Sequence, residues 1–226
     1  MAGDARLQFI AYSDYLCPWC ANGSLRLHRL EDEYEGEISI EWRSYLLRPY
    51  PRKPAADALA AAEQLEKFRH YTTSWERPAA DEDAAEFHLW CDDNLEGPPS
   101  HSVPAHVVAK AAQRSSAADF RRLHERLMRA YFSENRDISA RDTLFELWRE
   151  VGLGDSLFPE IDDPELTRVV VDEHNDAIAR GVTGVPAVRL VGNDSIIVGA
   201  QPMENYRRWA ERALSRLDST ESENAS

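Results

Sequence analysis

Cys17-Pro18-Trp19-Cys20 decides how the rest of the chain is read. The run Leu7-Gln8-Phe9-Ile10-Ala11-Tyr12 before it is apolar enough for a strand, and the stretch after it reads as a helix. Cysteines at i and i+3 on a first helical turn face the same side, close enough to close a small disulfide loop. That end of a helix carries unpaired N–H groups and about half a positive charge, which stabilises a thiolate. Pro18 fits the first helical position, where its missing N–H costs nothing. The stretch therefore predicts a redox site, with Cys17 as a low-pKa nucleophile and Cys20 as a less exposed resolving thiol. A structural zinc site is the rival, since C-x-x-C is also half of one. Its other half is missing: the third cysteine, Cys91, has no His pair at ligand spacing. A plain core pair is disfavoured because Pro18 sets the cysteines at an element boundary.

The 226 residues suffice for a sizeable core, and no 18-residue apolar run predicts a membrane span. Met1 to Arg6 shows no basic-then-apolar signal region, and three cysteines make no disulfide framework; both predict a cytoplasmic protein. A net charge of −14 argues against a nucleic-acid groove and against anionic membranes. Only Lys53, Lys67 and Lys110 of the 26 basic residues are lysines. Two readings of the acidic surface stay open: a solvated coat for a high-salt cytoplasm, or an ordinary acidic protein with an Arg-rich codon bias.

In chain order, residues 7–12 predict a strand. Residues 18–34 predict a helix with Leu27, Leu30 and Tyr34 on one face and Gly36 at its stop. Glu37 to Trp42 alternates as a half-buried strand, ended by Pro49, Pro51 and Pro54. A crossover helix between two strands implies a parallel pair. Helices follow over 55–70, 102–113 and 117–132, with a short one around Phe87-His88-Leu89-Trp90. Ser139 is expected to cap another, and Asp163-Pro164-Glu165 a last one ending near Gly181. Ala187 to Val191 and Ile196 to Gly199 predict a hairpin through Gly192-Asn193-Asp194. Pro202 opens a final helix, and residues 218–226 are expected to be a disordered tail.

Four motifs carry a resemblance: Ser13-Asp14-Tyr15-Leu16 running into Cys17-Pro18-Trp19-Cys20; Tyr131-Phe132-Ser133-Glu134-Asn135-Arg136-Asp137-Ile138-Ser139; Gly181-Val182-Thr183-Gly184-Val185-Pro186; and Gly199-Ala200-Gln201-Pro202. In this order the chain resembles the DsbA-like thioredoxin-fold oxidoreductases, within them the cytoplasmic FrnE-type branch. Residues 71–100 match no motif. The resemblance implies an α/β thioredoxin fold, residues 1–54 with 181–217, interrupted by an all-helical insertion over 55–180 whose last helix packs back on the sheet. It implies that Cys17 exchanges with a substrate disulfide, that Cys20 resolves the mixed disulfide, and that a cis Val185–Pro186 bond lies against the pair. Pro18, Trp19 and the Val185 backbone are then the expected substrate contacts. Protein or small-molecule thiols and disulfides are the expected partners, with glutathione or a thioredoxin-type reductant as candidates. No metal and no organic cofactor are expected.

The chain departs from the family at Ala11, where relatives carry a buried acid that accepts a proton from the second cysteine. Asp14 is left to take that role or to cap the loop. Pro18 and Trp19 bring no charge between the cysteines, which predicts a couple less oxidising than the periplasmic oxidant at about −120 mV. Cys91, flanked by Asp92 and Asp93, is expected to be unreactive. The seven histidines show no ligand spacing, and His101 and His106 are expected at the surface or at caps. Trp75, Trp90 and Trp148 are expected in the core. Two other functions remain as alternatives: a glutathione-dependent isomerase or transferase of the same fold, of the 2-hydroxychromene-2-carboxylate isomerase or kappa-class type, and a redox-switched binding module.

Overall fold

The computed structural model describes residues 5–90, 97–193 and 195–224. Strand β1 (Leu7–Ser13) lies at the centre of a four-stranded sheet. It pairs in parallel with β2 (Ile38–Ser44), Phe9 beside Ile40 and Ala11 beside Trp42. On its other side it runs antiparallel to β3 (Ala187–Leu190), Ala11 beside Val188. A hairpin adds β4 (Ile196–Val198), giving the order β2-β1-β3-β4.

The two faces of β1 bury different residues because strand side chains alternate. Phe9 and Ala11 face helix α1 (Pro18–Glu33) and helix α8 (Met203–Asn224), where Trp209 meets the Phe9 ring edge-on at 5.0 Å. Ile10 and Tyr12 face helix α7 (Pro164–Ala179), in a smaller cluster with Ala177, Val182 and Ala187. The α7 face is also tied by polar contacts. The Tyr12 hydroxyl and Arg43 both reach Asp176, at 3.3 and 2.9 Å. The turn after helix α1 passes through Gly36, whose φ of +81° a side chain would strain.

The helices between β2 and α7 are α2 (Ala58–Thr72), the single turn α3 (Glu76–Ala79), α4 (Val103–Ser115), α5 (Ala117–Phe132) and α6 (Arg141–Glu150). Asp57 caps α2 on the Ala60 N–H at 2.8 Å, and Ser116 caps α5 on the Asp119 N–H at 3.0 Å. Helix α5 buries Phe120, Leu123, Leu127 and Tyr131 at helical spacing, and its core is continuous with the sheet's. Trp75, Trp90 and Trp148 are all buried in it.

The structure corrects four sequence expectations. Residues 87–90 are not helical; they are irregular and lie against the end of α5, with the His88 N–H on Phe132 O at 2.7 Å. Ser139 does not cap α6. Its own N–H and hydroxyl bind Asp137, at 2.8 and 2.6 Å, and Ala140 takes the cap position without a side-chain bond. Helix α8 continues through Asn224, so the polar residues from Asp218 to there are helical. His106 is buried rather than at the surface, whereas His101 is half-buried. The expectation for Cys91 falls outside the described residues.

Candidate active site

Helix α1 begins beyond the C-terminal end of the central strand β1, after the turn 14–17. Cys17 is its N-cap, in an extended conformation that turns the chain into the helix, and Pro18 is the first helical residue. The Cys20 N–H points back to Cys17 Sγ at 3.3 Å. This bond strengthens when the sulfur is charged. Both cysteines are buried, Cys17 retaining 5 % exposure and Cys20 none. Both are free thiols. The Cys20 thiol is held well above the usual thiol range, first by burial and then by its bond with Cys17 and that neighbour's charge. Ser13 and the Asp14 backbone pull it only partly back.

From the start of β3 comes the second half of the site. The Val185–Pro186 peptide bond is cis. The Cys17 thiol donates to the Val185 carbonyl at 3.3 Å, across 168 residues of sequence. Pro186 is buried while Val185, Pro18 and Trp19 are half-buried, and the Cys17–Val185 bond brings the turn before β3 to the cysteine turn. Gly23, one turn further along α1, holds Pro186 close: a Cβ there would stand 3.1 Å from Pro186 Cγ. The sequence offered no spacing signal for Gly23, because its partner lies on another element.

Asp14 caps the loop. Its fully buried carboxylate accepts the Leu16 N–H at 2.6 Å and, from beyond β2, the Leu47 N–H at 2.8 Å. Each oxygen takes one backbone amide, His106 Nε2 stands 3.8 Å from Oδ2, and Ala11 brings no acid beneath Cys20. Arg26, buried on α1, reaches Gln201 O at 3.0 Å, Asp81 Oδ2 at 2.8 Å and Glu82 O. Asn22 bonds Pro78 O and the Ala85 N–H at 2.9 and 2.8 Å. These two residues fasten the 78–85 loop and the Gln201 turn to the helix that carries the cysteines.

Among the described residues, no group of three or more His, Cys, Asp or Glu is placed to hold a metal ion. His28, His106 and His124 do converge with Tyr15 and Trp42, but as edge-to-face or tilted rings with centroids 4.6 to 5.4 Å apart. Tyr15 Oη and Ser24 Oγ bracket the His124 ring, each at 2.9 Å. Burial first, then the nearby His28, His106 and Lys110 charges, hold His124 well below the usual imidazole range.

Beside the cysteine turn opens a cleft of about 530 Å³, lined by Leu16, Leu47, Arg48, Arg52, Lys53, Gln64, Lys67, Phe68, Tyr71 and Tyr131. The Tyr71 hydroxyl in its wall is pushed up by burial and then by charge on Cys17, and Leu16, the residue before Cys17, is part of the lining.

The profile of the DSBA-like thioredoxin domain matches residues 8–209, nearly the whole chain. The chain belongs to the DSBA-like thioredoxin family. A Bacillus subtilis relative, the uncharacterized protein YwbO, is 27 % identical over 206 residues, 87 % of this chain and 92 % of that one. The cytosolic disulfide reductase DsbM of Pseudomonas aeruginosa superposes with a TM-score of 0.64 at 21 % identity, over 95 % of this chain and 98 % of its own. DsbM has also been solved with GSH, a structure that superposes with a TM-score of 0.57. A candidate protein disulfide isomerase from Nitrosomonas europaea gives 0.70 at 15 % identity, over 93 % and 98 %. At these identities the solved structures support the DsbA-like fold with its helical insertion. No described helix is long and apolar enough to cross a membrane.

Proposed function

We propose that this DsbA-like protein is a thiol–disulfide oxidoreductase of the cytoplasm, of the FrnE-type branch, whose working couple is Cys17–Cys20. The observation that carries the reading is the asymmetry of the pair: Cys17 is the helix N-cap, with Sγ 3.3 Å from both the Cys20 N and Val185 O, while Cys20 lies within the first turn, fully buried and held protonated. In the reducing direction, the Cys17 thiolate attacks one sulfur of a substrate disulfide and one substrate thiolate departs. Cys20 then loses its proton and attacks Cys17 Sγ, releasing the second substrate thiol. Two electrons leave the protein, which is now a disulfide. The oxidising direction is the reverse sequence. Holding Cys20 protonated slows its attack until a mixed disulfide removes the negative charge from Cys17. Pro186 walls the pair, and the Val185 backbone with Pro18 and Trp19 meets the substrate chain.

Two thiols in this order favour exchange over the single-thiol conjugation of a glutathione isomerase or transferase. The test is a titration in glutathione redox buffers, counting blocked thiols by intact mass. Cys17 and Cys20 are expected to exchange together as one two-electron couple, with a potential more negative than about −120 mV. Cys17→Ser abolishes turnover and Cys20→Ala accumulates mixed disulfides. Turnover retained in Cys17→Ser, or glutathione conjugation surviving Cys20→Ser, overturns the reading.

A further inference from the structure

The cleft beside Cys17 has a charge opposite to that of the molecule. The chain carries −14 overall, yet Arg48, Arg52, Lys53 and Lys67 all line this one cavity, and no Asp or Glu does. Two of the chain's three lysines are here; the third, Lys110, is buried against Glu173 at 2.6 Å. Lys67 is neutralised by Glu63 one helical turn away, at 2.8 Å. Among the described residues no carboxylate pairs with Arg48, Arg52 or Lys53.

Leaving three cations together unpaired costs stability, so their placement needs a reason. The backbone holds two of them in place. Arg48 and Arg52 lie on a segment stitched to residues 99–102: Ser102 N–H to Arg48 O at 2.9 Å, Arg52 N–H to Ser100 O at 3.0 Å, and Arg52 Nε to Pro99 O at 3.1 Å. The Arg52 guanidinium stands 5.8 Å over the Phe68 ring, which fixes its plane. Burial and the Arg48 charge both lower the Arg52 pKa, as expected for like charges facing a common space. Apart from Gln64 the remaining walls are apolar or aromatic, and the volume suits a small molecule rather than a protein surface.

We propose that this cleft selects small disulfides bearing carboxylates, holding the anionic ends at Arg48, Arg52 and Lys53 while a substrate sulfur meets Cys17. The inference rests on Cys17 being the exchanging thiol. The chemistry is the exchange already written: the ligand's S–S bond breaks, its two halves leave as thiols, and the Cys17–Cys20 disulfide forms with two electrons transferred. An added dithiol resets the protein.

Reduced protein is mixed with dithiodipropionate, dihydroxyethyl disulfide or cystamine, which are anionic, neutral and cationic. Each rate of thiol loss is divided by the rate of the same probe with mercaptoethanol. The anion is expected to outpace the neutral probe by about tenfold, and the cation to trail it. Molar salt, with a Debye length of about 3 Å, brings the ratio towards one in the unaltered protein. The double variant Arg48→Gln, Lys53→Gln does the same, its fold checked by its urea transition. A ratio near one in the unaltered protein, or a ratio that survives both salt and the double variant, overturns the inference while leaving the exchange reading intact. Failure of all three probes to oxidise Cys17 overturns the exchange reading and this inference with it.

Discussion

Gly23 sets two effects of known sign against each other. In an exposed helix, Gly→Ala stabilises by about 1 kcal/mol. Here the new methyl meets the Pro186 ring at 3.1 Å, and neither the helix nor a proline ring yields easily. Overpacking of this kind costs about 1–3 kcal/mol, so Gly23→Ala is expected to lose roughly 1 kcal/mol net. Its thiol exchange should slow as well, because Pro186 shifts relative to Cys17. Urea denaturation decides it: a more stable Ala variant means the contact is slack. Asp14 offers a second residue-level test. The substitution Asp14→Asn keeps one acceptor but turns an NH₂ towards the Leu16 or Leu47 N–H, leaving a buried donor unsatisfied. A loss of about 1–3 kcal/mol is expected. An Asp14→Asn variant as stable as the parent would show that the loop is held by other contacts.

At the scale of elements, the outline was legible wherever a local rule governs. Alternation marked β2, Pro18 marked the start of α1, and Asp163-Pro164 marked α7, since strands, first turns and caps are specified by neighbouring residues. What the sequence hid depends on partners far along the chain. Ser139 and Asp142 have the spacing of a capping box, but Asp137 lies closer and takes the Ser139 hydroxyl. Phe87 to Trp90 has helical-looking apolar residues, of which Phe87 and Trp90 instead pack on Phe132 and Tyr131 of α5 while Leu89 stays exposed. The candidate cysteines and Pro186 were readable from motifs. Leu46-Leu47-Arg48-Pro49-Tyr50-Pro51-Arg52-Lys53-Pro54 reads by its prolines only as a strand terminator, although it is a cationic run in an acidic chain. His124, at the meeting of α5 and α1, carries an element-level prediction. Its folded pKa lies below its unfolded value near 6.5, so the unfolded chain binds the extra proton first. Its contribution is fully present above about pH 6.5 and is lost as pH falls below it, by no more than about 1.4 kcal/mol per pH unit. Unfolding free energies between pH 7.5 and 5.5 should show this fall in the parent and a shallower one in His124→Gln. Equal slopes would dismiss the assignment.

For the whole molecule, charge is the governing quantity. Forty acidic residues face 26 basic ones, and many arginines are tied into surface pairs such as Arg126 and Arg136 with Glu134 and Glu150. Exposed pairs each contribute little, while the uncompensated negative charge repels itself throughout the surface. Screening should therefore raise the melting temperature between about 0.05 and 0.5 M salt. A melting temperature that falls with salt would mean that the ion pairs outweigh the repulsion. Outright unfolding at low salt would support the high-salt reading of the surface.

The Asp14 carboxylate grips one amide from the cysteine turn and one from the wall of the basic cleft. The nucleophile's loop and the recognition surface are thus clamped through one anchor and cannot drift independently. The Leu47 amide proton becomes a natural reporter on the catalytic turn, although it lies far from Cys17 in sequence. Its solvent-exchange rate should follow the integrity of the Cys17 loop, being slow when the turn is closed. Loosening by substitution at Asp14 should release Leu16 and Leu47 together, which would let one amide resonance monitor both halves of the site.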